Sequence, residues 1–141
     1  MGRWMAVAMA GVALLAGPTA PTSAQEEAMG PARTAAQAWL ALLDAYEFDE
    51  SWRTAGKVLK GAVSQKEFAT TLSSTLGPFG AVSSRNPKSS EFTRTLPSAP
   101  DGEYVILEFD TAFEKKAGAV ETVVLSKEPD GLWRVSGYYI R

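Results

Sequence analysis

The chain contains neither cysteine nor histidine. The missing cysteines exclude disulfides and thiol nucleophiles, and the missing histidines exclude Ser-His-Asp and Cys-His catalytic arrangements. Zinc sites of the usual ligand sets and haem attachment through a Cys-x-x-Cys-His motif are excluded for the same reason. Phosphate-binding glycine loops, calcium loops and the Gly-x-Ser-x-Gly motif are also missing from the sequence. Carboxylate, hydroxyl, lysine and tyrosine groups remain for any chemistry.

The sequence also lacks an excess of charge of one sign, with 14 basic residues, 16 acidic residues and a formal net charge of −2. Its lysines and arginines are scattered among acidic residues and form no basic cluster in the sequence. Proteins that bind nucleic acids carry such a cluster, because contacts to phosphates supply much of their affinity. The composition therefore argues against a nucleic acid as the partner.

The sequence contains only one long apolar run, from Trp4 to Gly17. Arg3 precedes this run, and small residues follow it up to Ala24. This order predicts a secretory signal peptide, residues 1–24, cleaved after Ala24. The alternatives are a membrane anchor or a buried helix, but fourteen residues rise only about 21 Å as a helix, against about 30 Å for a hydrocarbon core. We expect an exported protein, periplasmic or secreted, without a membrane span after cleavage.

The mature chain has room for one domain. Removing 24 of 141 residues leaves 117, which suits a domain that buries about two-thirds of its unfolded surface. Packing alone must stabilise it, since no disulfide can form. We predict a polar tail over residues 25–31 and a single α+β domain over residues 32–141.

Three helices are predicted in the first half of this domain, at about 31–46, 49–61 and 64–77. Pro31 suits the first turn of the first helix, and Asp49 suits the N-cap of the second. Ser64 and Glu67 match a capping box, in which the hydroxyl accepts from the amide three residues later, so the third helix begins at Ser64.

The second half of the domain is typical of a β-meander. Residues rich in valine, isoleucine, threonine and aromatics fill 103–113, 119–127 and 132–140, and they are separated by Asp, Gly and Pro turn residues. Residues 82–96 also favour a strand, but Asn86-Pro87 interrupts them and predicts a bulge or an edge position. The sequence predicts an α+β fold in which three N-terminal helices pack on one face of a four-stranded antiparallel meander.

Five short segments carry a resemblance to a known family: Gly80-Ala-Val82, Asp101-Gly-Glu-Tyr-Val105, Phe109-Asp-Thr111, Ala119-Val-Glu-Thr122 and Asp130-Gly-Leu-Trp-Arg-Val-Ser-Gly-Tyr138. With them the sequence resembles the DUF4019 family of bacterial exported proteins, over about residues 32–141. The function of that family is uncharacterised, so the resemblance implies no site. The fold it suggests is similar to the nuclear-transport-factor-2-like cone, whose members include enzymes, ligand binders and dimerisation modules.

Two carboxylates in the second predicted strand are the main candidates for catalysis. Glu108 and Asp110 share one strand face, because side chains alternate along a strand. One hypothesis makes Asp110 a general base assisted by Tyr138 or Tyr139, in the manner of a ketosteroid isomerase. The alternative is a solvated face, and it is favoured because the apolar residues of this strand lie on the opposite face.

Aromatic residues and one arginine are the remaining candidates for a site. The tryptophans and tyrosines either line a ligand pocket or fill the core, and core filling is the more common role. Arg134 is expected to pair with an acidic residue of the outer face: Glu108, Asp110 or Glu121. The predicted ligand-binding residues are Trp39, Trp52, Asp110, Arg134 and Tyr139.

The sequence therefore predicts an exported domain that acts by binding or assembly, without catalytic activity, cofactor or metal. The expected partner is an unidentified protein or small-molecule ligand, and the oligomeric state is left open. Two alternatives remain: a pocket enzyme of the lyase or isomerase type that uses Asp110 and a tyrosine, and a structural protein of the cell envelope.

Overall fold

The computed structural model describes residues 23–141, so the predicted signal peptide lies almost entirely outside the described residues. Helices come first and strands second, as the α+β prediction requires. The helices are α1 (Ser23–Asp44), α2 (Phe48–Arg53), α3 (Lys57–Ala62) and α4 (Gln65–Leu76), and a short 3-10 turn (Gly77–Phe79) follows them. The strands are β1 (Val82–Thr93), β2 (Tyr104–Phe113), β3 (Lys116–Lys127) and β4 (Trp133–Ile140).

Helix α1 begins at Ser23, earlier than the predicted start at Pro31, so residues 25–31 lie within this helix. Ala28 is buried in the core and Met29 packs against it, so the extra turns bury apolar surface. Pro31 lies inside the helix, where it lacks an amide hydrogen for the backbone ladder. Burial at the N-terminal end outweighs that local cost.

The predicted second helix is two short helices, α2 and α3, so the domain has four helices instead of three. The break falls at Gly56, whose amide donates to the Val135 carbonyl at 2.8 Å and ties the chain to β4. Asp49 is not the N-cap of α2, because that position is Glu47, which makes no side-chain cap. The sequence pattern did not predict this break, because the break depends on a contact with a distant strand.

Helix α4 has the predicted capping residue. The Ser64 hydroxyl accepts a hydrogen bond from the Glu67 amide at 3.2 Å, which confirms the predicted start of this helix. Its apolar stripe is also confirmed, since Phe68, Leu72 and Leu76 are all buried.

The four strands form an antiparallel meander in the order β1-β2-β3-β4, as predicted. Strand β1 is an edge strand and runs without a break, and its pairing with β2 shifts register between Pro87 and Ser89. The predicted bulge near Asn86-Pro87 is therefore confirmed. A two-residue turn, Glu114-Lys115, joins β2 to β3.

One face of the sheet, which we call the inner face, packs against the helices. Tyr138 of β4 is fully buried there against Trp39 of α1, with ring centroids 5.4 Å apart. Leu107 and Phe109 of β2 belong to the same core. The opposite face, which we call the outer face, carries Ile106 and the other residues of its parity.

No helix within residues 23–141 has the length and apolarity needed to span a membrane.

Candidate functional site

A buried carboxylate, Glu121, is the most unusual charged group on the inner face. Its side chain is 1% exposed. Thr111 Oγ1 donates to Glu121 Oε1 at 2.6 Å, and Tyr138 Oη donates to Oε2 at 2.6 Å. Arg85 Nε donates to Oε1 at 2.7 Å, so both carboxylate oxygens are satisfied.

Arg85 extends this cluster to the surface. Its two terminal nitrogens donate to the two carboxylate oxygens of Asp44, at 2.8 and 2.9 Å. Burial by itself would lower the pKa of Arg85, but the hydrogen bonds and charges of Asp44 and Glu121 raise it above its ordinary value. Arg85 is therefore a permanent cation that links the end of α1, the edge strand and the buried carboxylate.

The carboxylate of Glu121 and the phenol of Tyr138 lie within hydrogen-bonding distance of each other. Such a pair is suited to acid–base chemistry. Burial, followed by the charge and hydrogen bond of Glu121, raises the pKa of Tyr138 well above its ordinary value. The phenol is thus held in its protonated, donating form. Both side chains are buried, since Glu121 is 1% exposed and Tyr138 is 0% exposed, and a substrate has no access to them. The pair acts as an internal support of the sheet.

A small cavity of about 170 Å³ opens beside this cluster, between α1 and β1, and we call it the α1–β1 cleft. Its floor consists of core side chains of β2 together with Pro87, and its rim consists of polar side chains of the helix and the edge strand. The lining residues are Arg33, Gln37, Pro87, Lys88, Ser89, Ser90, Leu107, Glu108 and Phe109. The bulge between Pro87 and Ser89 lies in this wall, where the regular ladder is interrupted.

The helix is tied to the edge strand at both ends of the cleft. At one end, Arg33 donates to the Ser90 hydroxyl at 3.3 Å, and at the other end Arg85 holds Asp44. The two ties are about 16 Å apart along the helix and about 16 Å apart along the strand, at ordinary rises per residue. Helix and strand therefore run alongside each other between two fixed points, with the bulge and the cleft between them.

The charged residues at the rim of the cleft differ in whether they have an ion-pair partner. Arg33 makes no ion pair with any residue in the described range, 23–141. Lys88 lies 3.6 Å from Asp110, and both side chains are exposed. Glu108 is better satisfied, because Ser89 donates to it at 2.9 Å and Arg141 lies 3.6 Å away.

The outer face carries a second, larger depression of about 450 Å³, which we call the outer-face groove. It crosses all four strands, with Ile106, Val120 and Thr122 on its floor and Glu91 and Tyr139 among its walls. A third depression, about 850 Å³ and widely open, lies at the loops that end β1 and β3.

The family model described as "Protein of unknown function (DUF4019)" matches residues 35–138. The chain belongs to the DUF4019 family. The matched range contains the whole buried cluster, from Asp44 to Tyr138, whereas Arg33 lies two residues before it. No curated protein and no solved structure matches the chain, and its likeness to the nuclear-transport-factor-2-like cone remains a prediction.

The two tryptophans predicted to bind a ligand are packing residues in this DUF4019 domain. Trp39 is 4% exposed and its indole donates to the Ser51 carbonyl at 2.8 Å. Trp52 is half-buried against the core and donates to the Val63 carbonyl at 2.9 Å. Each indole N–H thus has a backbone partner inside the helical layer, where neither ring lines the cleft or the groove.

The other three predicted residues lie on the outer face and are not brought together. Asp110 has a side chain that is 61% exposed, which confirms the solvated face that the strand alternation favoured. Arg134 pairs with Asp130 and Glu128, both at 2.8 Å, at the far end of the sheet. Tyr139 is half-buried in the wall of the outer-face groove, and burial raises the pKa of its phenol.

The expectation that Glu121 lies on the outer face as a partner of Arg134 is wrong. Glu121 pairs in register with Phe109, a core residue, and therefore points to the inner face. The segment around Glu121 is apolar on both faces, so its sequence alone does not show which face is buried. A regular hairpin closed by the Glu114-Lys115 turn would pair Phe109 with Val120. The register shift between Thr111 and Phe113 moves the pairing by one residue, and this bulge is what brings Glu121 opposite Phe109.

The residues described by the structure offer no metal site, since no group of three or more acidic side chains comes together within residues 23–141.

Proposed function

We propose that this DUF4019 domain is exported and binds a small molecule in the α1–β1 cleft, without catalysing a reaction. The observation that carries the proposal is the cleft itself: a buried apolar floor of Leu107 and Phe109 beneath a polar rim that includes the ion-unpaired Arg33. Ligand sites are commonly concave and largely apolar, with a few polar groups that orient the ligand.

Binding is favoured over catalysis because the groups suited to acid–base chemistry are in unsuitable places. A general base needs access to its substrate and a pKa matched to the working pH. A substrate has no access to Glu121 and Tyr138, and Asp110 is exposed beside Lys88. The enzyme alternative that uses Asp110 therefore finds no support in the geometry.

Export is supported by the sequence of residues 1–24 alone. An exported protein without cysteine has no disulfide to stabilise it, so its fold must depend on the core and on ties such as Arg85 to Asp44. Those ties also hold α1 in position over β1, which keeps the cleft formed in the absence of a ligand. A preformed site loses less conformational entropy when a ligand binds.

The test is a fragment titration of the ¹⁵N-labelled protein followed by amide chemical shifts. We expect bound fragments to shift the amides of Gln37 and Lys88, which line only the cleft, and to leave those of Ile106 and Tyr139 in the outer-face groove unchanged. Gln37→Phe places a large ring at the rim and should abolish these shifts. Ala38→Phe is the matched control, because Ala38 is exposed on the same helix and does not line the cleft.

Two results would contradict the proposal. Fragments that shift only Ile106 and Tyr139 would place the binding site in the outer-face groove. Binding that is equally strong in Gln37→Phe and Ala38→Phe would show that the cleft is not occupied.

A further inference from the structure

We infer that the ligand of the α1–β1 cleft is a small organic carboxylate whose apolar body is about the size of one benzene ring. The inference rests on the proposed function, because it names the ligand class of the same site. It follows from the size of the cleft, from its floor and from the charges at its rim.

The size of the cleft sets the size of the apolar body. Its volume is about 170 Å³. An apolar protein cavity of about 150 Å³ accepts benzene, which makes a single ring or a short branched chain the natural fit.

The floor determines where that body lies. Leu107 is 2% exposed and Phe109 is 8% exposed, so both are part of the core and present only a small apolar surface to the cleft. Pro87 adds a third apolar surface from the bulged wall. Water on such a floor has few hydrogen-bonding partners, and an apolar group that replaces it removes apolar surface from solvent.

The rim determines the charge of the ligand. Arg33 has no ion pair within residues 23–141, and its guanidinium donates to the Ser90 hydroxyl at 3.3 Å. Its guanidinium has five N–H donors in a planar arrangement that matches the two oxygens of a carboxylate. Arg33 can therefore take a carboxylate without first losing an acidic partner.

The other charged residues that line the cleft do not oppose an anionic ligand. The Lys88 ammonium lies 3.6 Å from Asp110 of the outer face, between two exposed side chains, and such pairs are weak. The Glu108 carboxylate also lies on the outer face, where it accepts from Ser89 and Thr122 and lies 3.6 Å from Arg141. The nearest uncompensated charge is thus positive.

The experiment compares three ligands of the same ring and different charge: benzoate, benzyl alcohol and benzylamine. Each is titrated into the ¹⁵N-labelled protein at neutral pH, and the shifts of Gln37 and Lys88 report binding in the cleft. We expect benzoate to bind about tenfold or more tightly than benzyl alcohol, and benzylamine to bind most weakly.

Variants identify the residue that selects the anion. Arg33→Gln should reduce the affinity for benzoate to that for benzyl alcohol, and it should leave benzyl alcohol binding unchanged. Arg53→Gln is the matched control, since Arg53 is an exposed helical arginine on α2 that does not line the cleft.

The outcomes separate this inference from the proposed function. Equal binding of benzoate and benzyl alcohol, or an Arg33→Gln variant that keeps the preference for benzoate, would overturn the carboxylate assignment and leave a neutral ligand site in place. No shift in the cleft with any of the three ligands at about 10 mM would overturn both.

Discussion

Arg85 and Asp44 join the edge strand to the end of α1 through two parallel hydrogen bonds of 2.8 and 2.9 Å. The same guanidinium faces Glu121, which is buried and would otherwise be an unpaired charge in the core. One side chain thus serves both to fix the helix on the sheet and to compensate a carboxylate that the fold encloses.

Replacing Arg85 by leucine should lower the free energy of unfolding by about 3–5 kcal/mol, because breaking a buried pair from one side leaves a charge without a partner. Urea unfolding of the two proteins measures the difference. Adding Glu121→Gln to the Arg85→Leu variant should recover part of the loss, since it removes the buried charge. Arg53→Leu, at an exposed pair, is the control and should change stability by about 0.5 kcal/mol or less. A loss no larger than that of the control would contradict the role given to Arg85.

Replacing either of two glycines of the α3 region by alanine should change the stability of the domain, in opposite directions for the two positions. A Cβ at Gly56 would lie 3.3 Å from the Val135 carbonyl and 3.0 Å from Glu128 Oε2, so Gly56→Ala should destabilise the contact of α3 with β4. Gly61 has open space around it, and Gly61→Ala should stabilise the helix by about 0.4–1 kcal/mol. Thermal unfolding of both variants checks this, and a stabilised Gly56→Ala protein would show that β4 yields to the added methyl group.

Alkaline pH should destabilise the domain through Tyr138. Burial and Glu121 raise its pKa in the folded state above the value of about 10 in the unfolded chain. The corresponding stability is therefore fully present below about pH 10 and is lost as the pH rises through the folded-state pKa. Burial raises the pKa of Tyr104 and Tyr139 in the same direction.

The measurement is urea unfolding at several pH values from neutral to alkaline. Between about pH 10 and the folded-state pKa of Tyr138, this tyrosine lowers the free energy of unfolding by about 1.4 kcal/mol per pH unit. Tyr138→Phe should show a smaller slope than the unmodified protein. Tyr46→Phe is the control, because Tyr46 is 49% exposed and lies outside the Glu121 cluster. Identical slopes for the two variants would show that another group carries the pH dependence.

Export should produce a mature chain that begins at Gln25. The intact mass of protein recovered from the envelope fraction measures the cleavage site, and a chain that still begins at Met1 would contradict the prediction. Cleavage there removes only Ser23 and Ala24 from the described part of α1, so the buried residues from Ala28 onward stay in the mature domain.

Local chemistry was sufficient to predict the sheet and α4. Turn residues and strand-forming residues located the meander, and Ser64 with Glu67 located the start of α4. The features that sequence missed depend on distant contacts. Gly56 breaks the helical layer because its amide meets Val135, and α1 extends because Ala28 reaches the core.

The candidate site was much harder to predict than the fold. Glu121 resembles a surface residue in the sequence, and only the register of β2 against β3 shows that it is enclosed. Arg33 and Lys88 are 55 positions apart and become neighbours of one cleft only because α1 runs beside the bulged edge strand. Of the predicted tryptophans, Trp39 packs against Tyr138 of the sheet, and Trp52 is partly buried against the core and donates to the Val63 carbonyl.

The bulge at Pro87 also affects how easily another chain can pair with the edge of this sheet. An exposed edge strand offers a row of backbone donors and acceptors to any chain that can pair with it, which is a route to aggregation. Pro87 has no amide hydrogen, and the register shift that follows it breaks the regular spacing of that row. The bulge in the wall of the cleft thereby discourages a fifth strand from pairing with β1.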